Sequence, residues 1–185
     1  MLDRQKTILT AAFTVFSRYG FKRATMNDIA SEAGVARQTL YNAFANKETL
    51  LKALTQSHID ETCQALRVQM ESNATLDESL ELAFDHFARK PFDLLINTPH
   101  GGEILEALEN SASEEMNESK QRFTHGIEAL LHVHAKKGVS DDLTPKLLAD
   151  FIVHTAMGHK AKATSRAHLD TLLATLKVLV LDAVK

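Results

Sequence analysis

The sequence predicts an all-helical fold, with a three-helix head at the N-terminus and a larger helical body behind it, about nine helices in all. Three observations carry that prediction. Prolines stand only at 91, 99 and 145, β-branched alternation is almost absent, and apolar residues recur at helical rather than strand spacing. A chain of 185 residues has room for a small head and one body, and 44% hydrophobic with 24% charged residues is a globular composition.

Helix by helix, the first should follow Asp3 as its cap, bury Ile8, Leu9, Ala12, Phe13 and Phe16 as one stripe, and stop at Gly20. Thr25-Met-Asn-Asp28 is a capping box that opens a second, short helix ending at Gly34. A third short segment runs from Arg37 to Phe44, and Asn46 then caps a long fourth helix carrying Leu50, Leu51, Leu54, Ile59, Cys63, Leu66 and Met70. Thr75-Leu-Asp-Glu78 is another capping box, opening a helix that Pro91 is expected to close. A broken stretch with Pro99, Gly101 and Gly102 follows. Ser111 to Glu114 should start a helix that runs to Gly138, Thr144-Pro145 caps the next, and the last begins near Ser165. These elements divide into a head over 1–55 and a body over 56–185.

Charge is distributed unevenly. Residues 1–55 hold eight Lys or Arg against four acids, whereas the rest of the chain is acidic, within a net charge of −3. A basic head on an acidic body presents one end to polyanions. No apolar run reaches the ~18 residues of a spanning helix, and Cys63 as the lone cysteine excludes an intrachain disulfide or a CxxC metal site, so a reducing cytoplasm is expected.

Two short helices joined by a turn at Gly34 and followed at once by a long helix meet the requirements of a helix-turn-helix, whose second helix enters a major groove about 12 Å wide. With Leu40 and Phe44 turned inward, Arg37, Gln38, Thr39, Tyr41 and Asn42 face outward. Arg37 suits guanine, Gln38 suits adenine, and the hydroxyls of Thr39 and Tyr41 suit phosphate or a thymine methyl. Lys47, at the start of the fourth helix, and Thr25, at the start of the second with Asn27 beside it, can add phosphate contacts. About three residues precede the first helix, so a long minor-groove arm is not expected.

The stretch ATMNDIASEAGVARQTLYNAFANKETLLKAL resembles the head of the TetR (tetracycline-repressor-like) family of transcriptional regulators, through a T-x-x-x-I-A, A-G-V, T-L-Y-x-x-F-x-x-K-x-x-L pattern covering roughly residues 5–55. The resemblance implies that Thr39, Tyr41 and Lys47 hold the DNA backbone and that positions 37, 38 and 42 face bases. Ala36 and Ala43 stand where many relatives carry serine and histidine, so those contacts are not carried over. It further implies a ligand-binding and dimerisation body whose last two helices form a four-helix bundle with their symmetry mates. Residues 169, 172, 176, 179 and 183 step by 3 and 4 as a partner seam, widened by Leu173 and Val180, with small residues Ala156, Gly158, Ala161 and Ala163 before it. A homodimer of this kind reads a pseudo-palindrome.

Phe84, Phe87, Phe92, His100, Phe123, Ile127, Phe151 and Thr155 are the candidate lining of a pocket for a small, largely apolar ligand. No cofactor or metal is expected. His125 and His132 share a helix face but lie roughly 10 Å apart, His132 and His134 point apart, and no HExxH is present. An enzyme finds no support either, since GxSxG, P-loop and GxGxxG patterns are absent and no catalytic residues can be named. The function expected is therefore a repressor released from its operator by a small-molecule inducer. The rival reading is a helix-turn-helix protein that organises DNA or binds a partner without an inducer.

Overall fold

The computed structural model describes residues 3–72, 74–134 and 143–184. Among these the chain forms nine helices: α1 (Asp3–Tyr19), α2 (Met26–Glu32), α3 (Arg37–Ala43), α4 (Lys47–Glu71), α5 (76–96), α6 (Gly101–Ser111), α7 (Ser113–His134), α8 (Pro145–Lys162) and α9 (Arg166–Ala183).

The caps set these boundaries. Thr25 and Thr75 close reciprocal capping boxes with Asp28 and Glu78. The Asn46 side chain accepts the Thr49 N–H at 2.8 Å at the start of α4, and Thr144 and Ser165 cap α8 and α9. Gly20 (φ +81°) and Gly34 (φ +64°) take the left-handed conformation that ends α1 and α2. At Gly34 the N–H of Val35 reaches the Ala30 carbonyl at 3.0 Å and that of Gly34 reaches Ser31 at 3.2 Å, which is a Schellman closure.

Three boundaries differ from the sequence expectation. Pro91 does not close α5; the helix runs through Leu76–Phe84, widens into a π turn over Asp85–Arg89 and resumes over Lys90–Ile96. A prolyl ring crowds the carbonyl four residues back, and a π turn immediately before it relieves that crowding. The stretch with Pro99, Gly101 and Gly102 is broken only at its start, since both glycines lie inside α6. Ser111 ends α6, so α7 begins two residues later, at Ser113. Gly138, expected to end that helix, lies outside the described residues.

Two compact units result, Met1–His58 with Leu94–Asn117, and Ile59–Asp93 with Glu118–Lys185. The first buries Ile8, Leu9, Ala12, Val15 and Phe16 of α1 with Ile29, Leu40, Leu50 and, from α6, Ile104 and Ala107. Packing thus joins α6 to the head helices, although the head read from the sequence stops at residue 55.

In the second unit Phe84, Phe87 and Phe92 meet Phe123 and Ile127 of α7, residues 148–156 of α8, and Leu169, Leu173, Leu176 and Val180 of α9. Phe87 stacks on Phe123 with ring centres 5.5 Å apart. Arg89, buried, is matched by Glu81 at 2.8 Å and Asp170 at 2.7 Å, and Lys177 reaches Asp77 and Glu81, so ion pairs tie α5 to α9 beside the apolar core.

Candidate nucleic-acid interface

Leu40 is fully buried and anchors α3 by a single apolar contact point, which leaves the rest of that short helix outward. Arg37, Gln38, Tyr41 and Asn42 are exposed, with Tyr41 at 49%, and Thr39 is half-buried. The Gln38 side-chain amide donates to the Asn42 carbonyl oxygen at 2.8 Å, one turn away. That bond fixes both amides in register and leaves the Gln38 oxygen and the Asn42 amide free to pair with a base edge. Ala36 is the N-cap of α3 and supplies no side-chain acceptor.

Asn27 is exposed on α2. Thr25, in contrast, is fully engaged: its hydroxyl donates to the Asp28 carboxylate at 2.6 Å and accepts the Asp28 N–H at 3.2 Å, while its own N–H reaches the same carboxylate at 3.0 Å. These bonds hold the Asp28 carboxyl below its ordinary pKa, the Thr25 hydroxyl contributing most.

Lys47, expected to grip a phosphate, turns inward instead. Its ammonium donates to the carbonyls of Phe21 (2.7 Å), Lys22 (3.0 Å) and Ala24 (3.3 Å) and lies over the Phe21 ring at 4.9 Å. A lysine carries three donors, and all three are used here. The same loop is held from α6: Glu103 accepts the Lys22 N–H and fills the space a Cβ at Gly20 would need, and Glu106 pairs with the Lys22 ammonium at 3.0 Å. Sequence reasoning missed α6 and this role for its acids, although Ile104, Ala107 and Leu108 were spaced for it.

The candidate ligand residues divide. Phe84, Phe87, Phe92, Phe123 and Ile127 converge in the core of the second unit, with Thr155 half-buried on α8. His100 belongs to the first unit, where it precedes α6 beside Glu103 and lines an open cleft with Arg18, Tyr19, Arg23 and Asp28. Phe151 is 53% exposed, on the outer side of α8.

The expected partner seam also divides. Leu169, Leu173, Leu176 and Val180 are buried within the unit, Leu172 is half-buried, and Leu179 and Ala183 are exposed. At about 100° per residue, Leu169, Leu173, Leu176 and Val180 fall on one narrow face, which turns into the core, while Leu179 lies at the edge of that stripe and reaches the surface. The exposed stripes are instead Leu147, Phe151, His154 and Gly158 on α8 and Ala167, Thr171, Ala174 and Val178 on α9, both stepping by 4, 3 and 4. Nothing lies within 4 Å of where a Cβ at Gly158 would stand.

Among the described residues no group of three or more His, Cys, Asp or Glu could hold a metal ion, and no helix is long and apolar enough to cross a membrane.

Comparison with known proteins places this arrangement. Residues 8–54 match the family described as bacterial regulatory proteins, tetR family. The HTH-type transcriptional activator FasR of Mycolicibacterium smegmatis is 36% identical over 87 residues, covering 45% of this chain and 40% of that protein. The fatty acid metabolism regulator protein of Bacillus subtilis is 27% identical over 154 residues, 80% of this chain and 77% of its own. The chain spans about half the length of FasR and of two HTH-type transcriptional regulators of Bacillus subtilis that it also matches. Among solved structures, the fatty acid degradation regulator FadR of Bacillus halodurans shares the fold with a TM-score of 0.65 at 24% identity, over 96% of both chains. These relatives are regulators of transcription or metabolism by name, not enzymes. The helix-turn-helix head, over residues 8–54, is thus similar to that of the tetR family of bacterial regulatory proteins, and the chain shares the fold of solved regulators of that kind.

Proposed function

We propose that this protein is a cytoplasmic, DNA-binding transcriptional repressor that works as a homodimer and is released from a pseudo-palindromic operator by a small apolar ligand. The observation that carries the reading is α3 itself, a short helix pinned by Leu40 with Arg37, Gln38, Tyr41 and Asn42 exposed together on a basic head. In this reading residues 1–55 bind DNA, with Arg37, Gln38 and Asn42 on bases and Asn27, Thr39 and Tyr41 on the backbone. Residues 56–185 take the ligand and the second subunit.

Two features support the body's role. The exposed stripes of α8 and α9 carry Leu147, Phe151 and Val178, each more than half exposed in the monomer, and the small residues between them let a twofold-related pair of helices approach closely. The aromatic core around Phe84, Phe87, Phe92 and Phe123 suits an apolar ligand, and two similar proteins are named for fatty acid metabolism and degradation. Long-chain acyl compounds are therefore the first ligand class to test.

Selection of bound sequences from a random DNA pool, repeated with a fatty acid and acyl-thioester panel, tests the whole reading. A selected inverted repeat whose retention falls with one ligand class supports it. Selection of no motif would overturn the regulator, and a motif indifferent to every ligand would favour a DNA-organising protein without an inducer. A reporter under that motif fixes the sign of regulation.

A further inference from the structure

Half of the basic residues in the head are committed within the first unit. Arg18 pairs with Glu32 at 3.3 Å, Lys22 with Glu106 at 3.0 Å and Lys52 with Glu115 at 2.8 Å, while Lys47 faces three carbonyls. Thr25 has no proton left to donate outside its capping box. Two of the residues suited by type to hold phosphates are thus used in folding the loop before α2.

Arg23 sits on that loop. Its side chain is exposed and, among the described residues, makes no hydrogen bond or ion pair. The carbonyls of Phe21, Lys22 and Ala24 converge on Lys47, and the Ala24 N–H returns to Gly20 at 3.0 Å, so the backbone around Arg23 is fixed on both sides. Asp28, the acid that shares a cleft with Arg23, gives its carboxylate to the α2 cap. Position matters as much as freedom. In a helix-turn-helix the first helix crosses the phosphate backbone while the second reads the groove, and Arg23 precedes the N-cap of that first helix by two residues.

We propose that Arg23, with Tyr41, grips the DNA backbone, and that Lys47 acts through the loop as a positioning residue rather than touching phosphate. The proposal rests on the DNA-binding reading above. Each phosphate neutralised steepens the fall of log affinity with log salt by about 0.9 on duplex DNA. A guanidinium on a fixed loop should contribute one such step without reading sequence.

The test uses the full chain and fluorescence anisotropy over a salt series, with the selected operator duplex and an unrelated duplex of equal length. Arg23→Gln should weaken both duplexes by the same factor and lower the salt slope by about 0.9, with the melting temperature unchanged; Arg23→Lys should restore the slope. Lys47→Met should lower the melting temperature and keep the wild-type slope at temperatures where it is folded. A wild-type slope in Arg23→Gln overturns the proposal. So does the loss of a full step in Lys47→Met at an unchanged melting temperature. Wild-type protein that binds neither duplex at any salt would fail at the first titration and overturn the DNA-binding reading itself.

Discussion

Lys47 donates to the Phe21 carbonyl at 2.7 Å while its ammonium stands 4.9 Å from the centre of the Phe21 ring. One side chain thus closes the loop between α1 and α2 by hydrogen bonds and by its charge over an aromatic face. Removing it leaves carbonyls with a lost cationic partner, so Lys47→Met should reduce unfolding free energy by about 1.5 to 3 kcal/mol, the usual worth of hydrogen bonds to a charged group. Urea denaturation followed by helix signal measures it, and a midpoint equal to wild type would contradict the role.

The turn before α3 offers a paired test. Gly34 has open space where a Cβ would stand but a φ of +64°, so Gly34→Ala should cost about 1 to 2 kcal/mol from backbone conformation alone. Ala36 already has N-cap geometry, φ −64° and ψ 143°, and lacks only the acceptor. Ala36→Ser should therefore stabilise by about 1 kcal/mol. Urea midpoints moving in opposite directions for the two variants are the expected outcome.

Gln38 and Asn42 should behave as a unit in DNA recognition. Gln38→Ala should relax preference at one base pair by about 1 to 3 kcal/mol. Because the lost amide also frees Asn42, the double variant should cost less than the two single changes together. Competition binding against operators mutated one position at a time reads both effects, and strict additivity would mean that the Gln38–Asn42 bond does not orient either side chain on DNA.

The exposed stripes predict a separable dimer. Phe151 and Val178 are 53% and 56% exposed in the monomer, so Phe151→Glu or Val178→Arg should leave the fold intact and shift the protein from dimer to monomer. Sedimentation at micromolar concentration, with circular dichroism as the control for folding, decides it. A dimer unaffected by either charge would place the interface elsewhere.

Acid should loosen the capped helices first. Hydrogen bonds from Thr25 depress the Asp28 pKa, and the Thr75 N–H and hydroxyl do the same to Glu78. A carboxyl whose folded pKa lies below its unfolded one contributes stability that is present above the unfolded value, near 4, and is lost as pH falls through the folded value. Glu78→Gln should flatten that part of the stability profile below about pH 4 and leave the neutral arm parallel to wild type, as read by urea unfolding across pH.

Much of the fold was legible because its punctuation is local. Gly20, Gly34, Thr25, Thr75, Thr144 and Ser165 each act within a few residues of their own position, so a sequence pattern can name them. Lys47 was not legible in the same way: its partners are backbone carbonyls some 23 to 26 residues away, and carbonyls carry no residue identity. The α6 helix was hidden by Gly101 and Gly102, which read as a break; Gly101 serves close packing instead, since a Cβ there would collide with the Leu95 carbonyl. Phe151 shows a further limit. On α8, apolar residues occupy both the inner face at Leu148, Ile152 and Ala156 and the outer face at Leu147 and Phe151, and helical spacing alone does not tell the two apart.

The π turn in α5 has a consequence for how this chain can change length. A π turn holds one more residue than an α turn needs, and here it is followed by Pro91, whose ring an unbroken α-helix would crowd. The surplus residue and the proline are therefore a matched pair. Losing one residue between 85 and 89 would straighten the backbone yet leave the ring against a carbonyl, whereas losing it together with Pro91→Ala would return a plain helix with Phe84 and Phe92 still facing the core. Shortened homologues of this helix, natural or designed, should lack the proline as well.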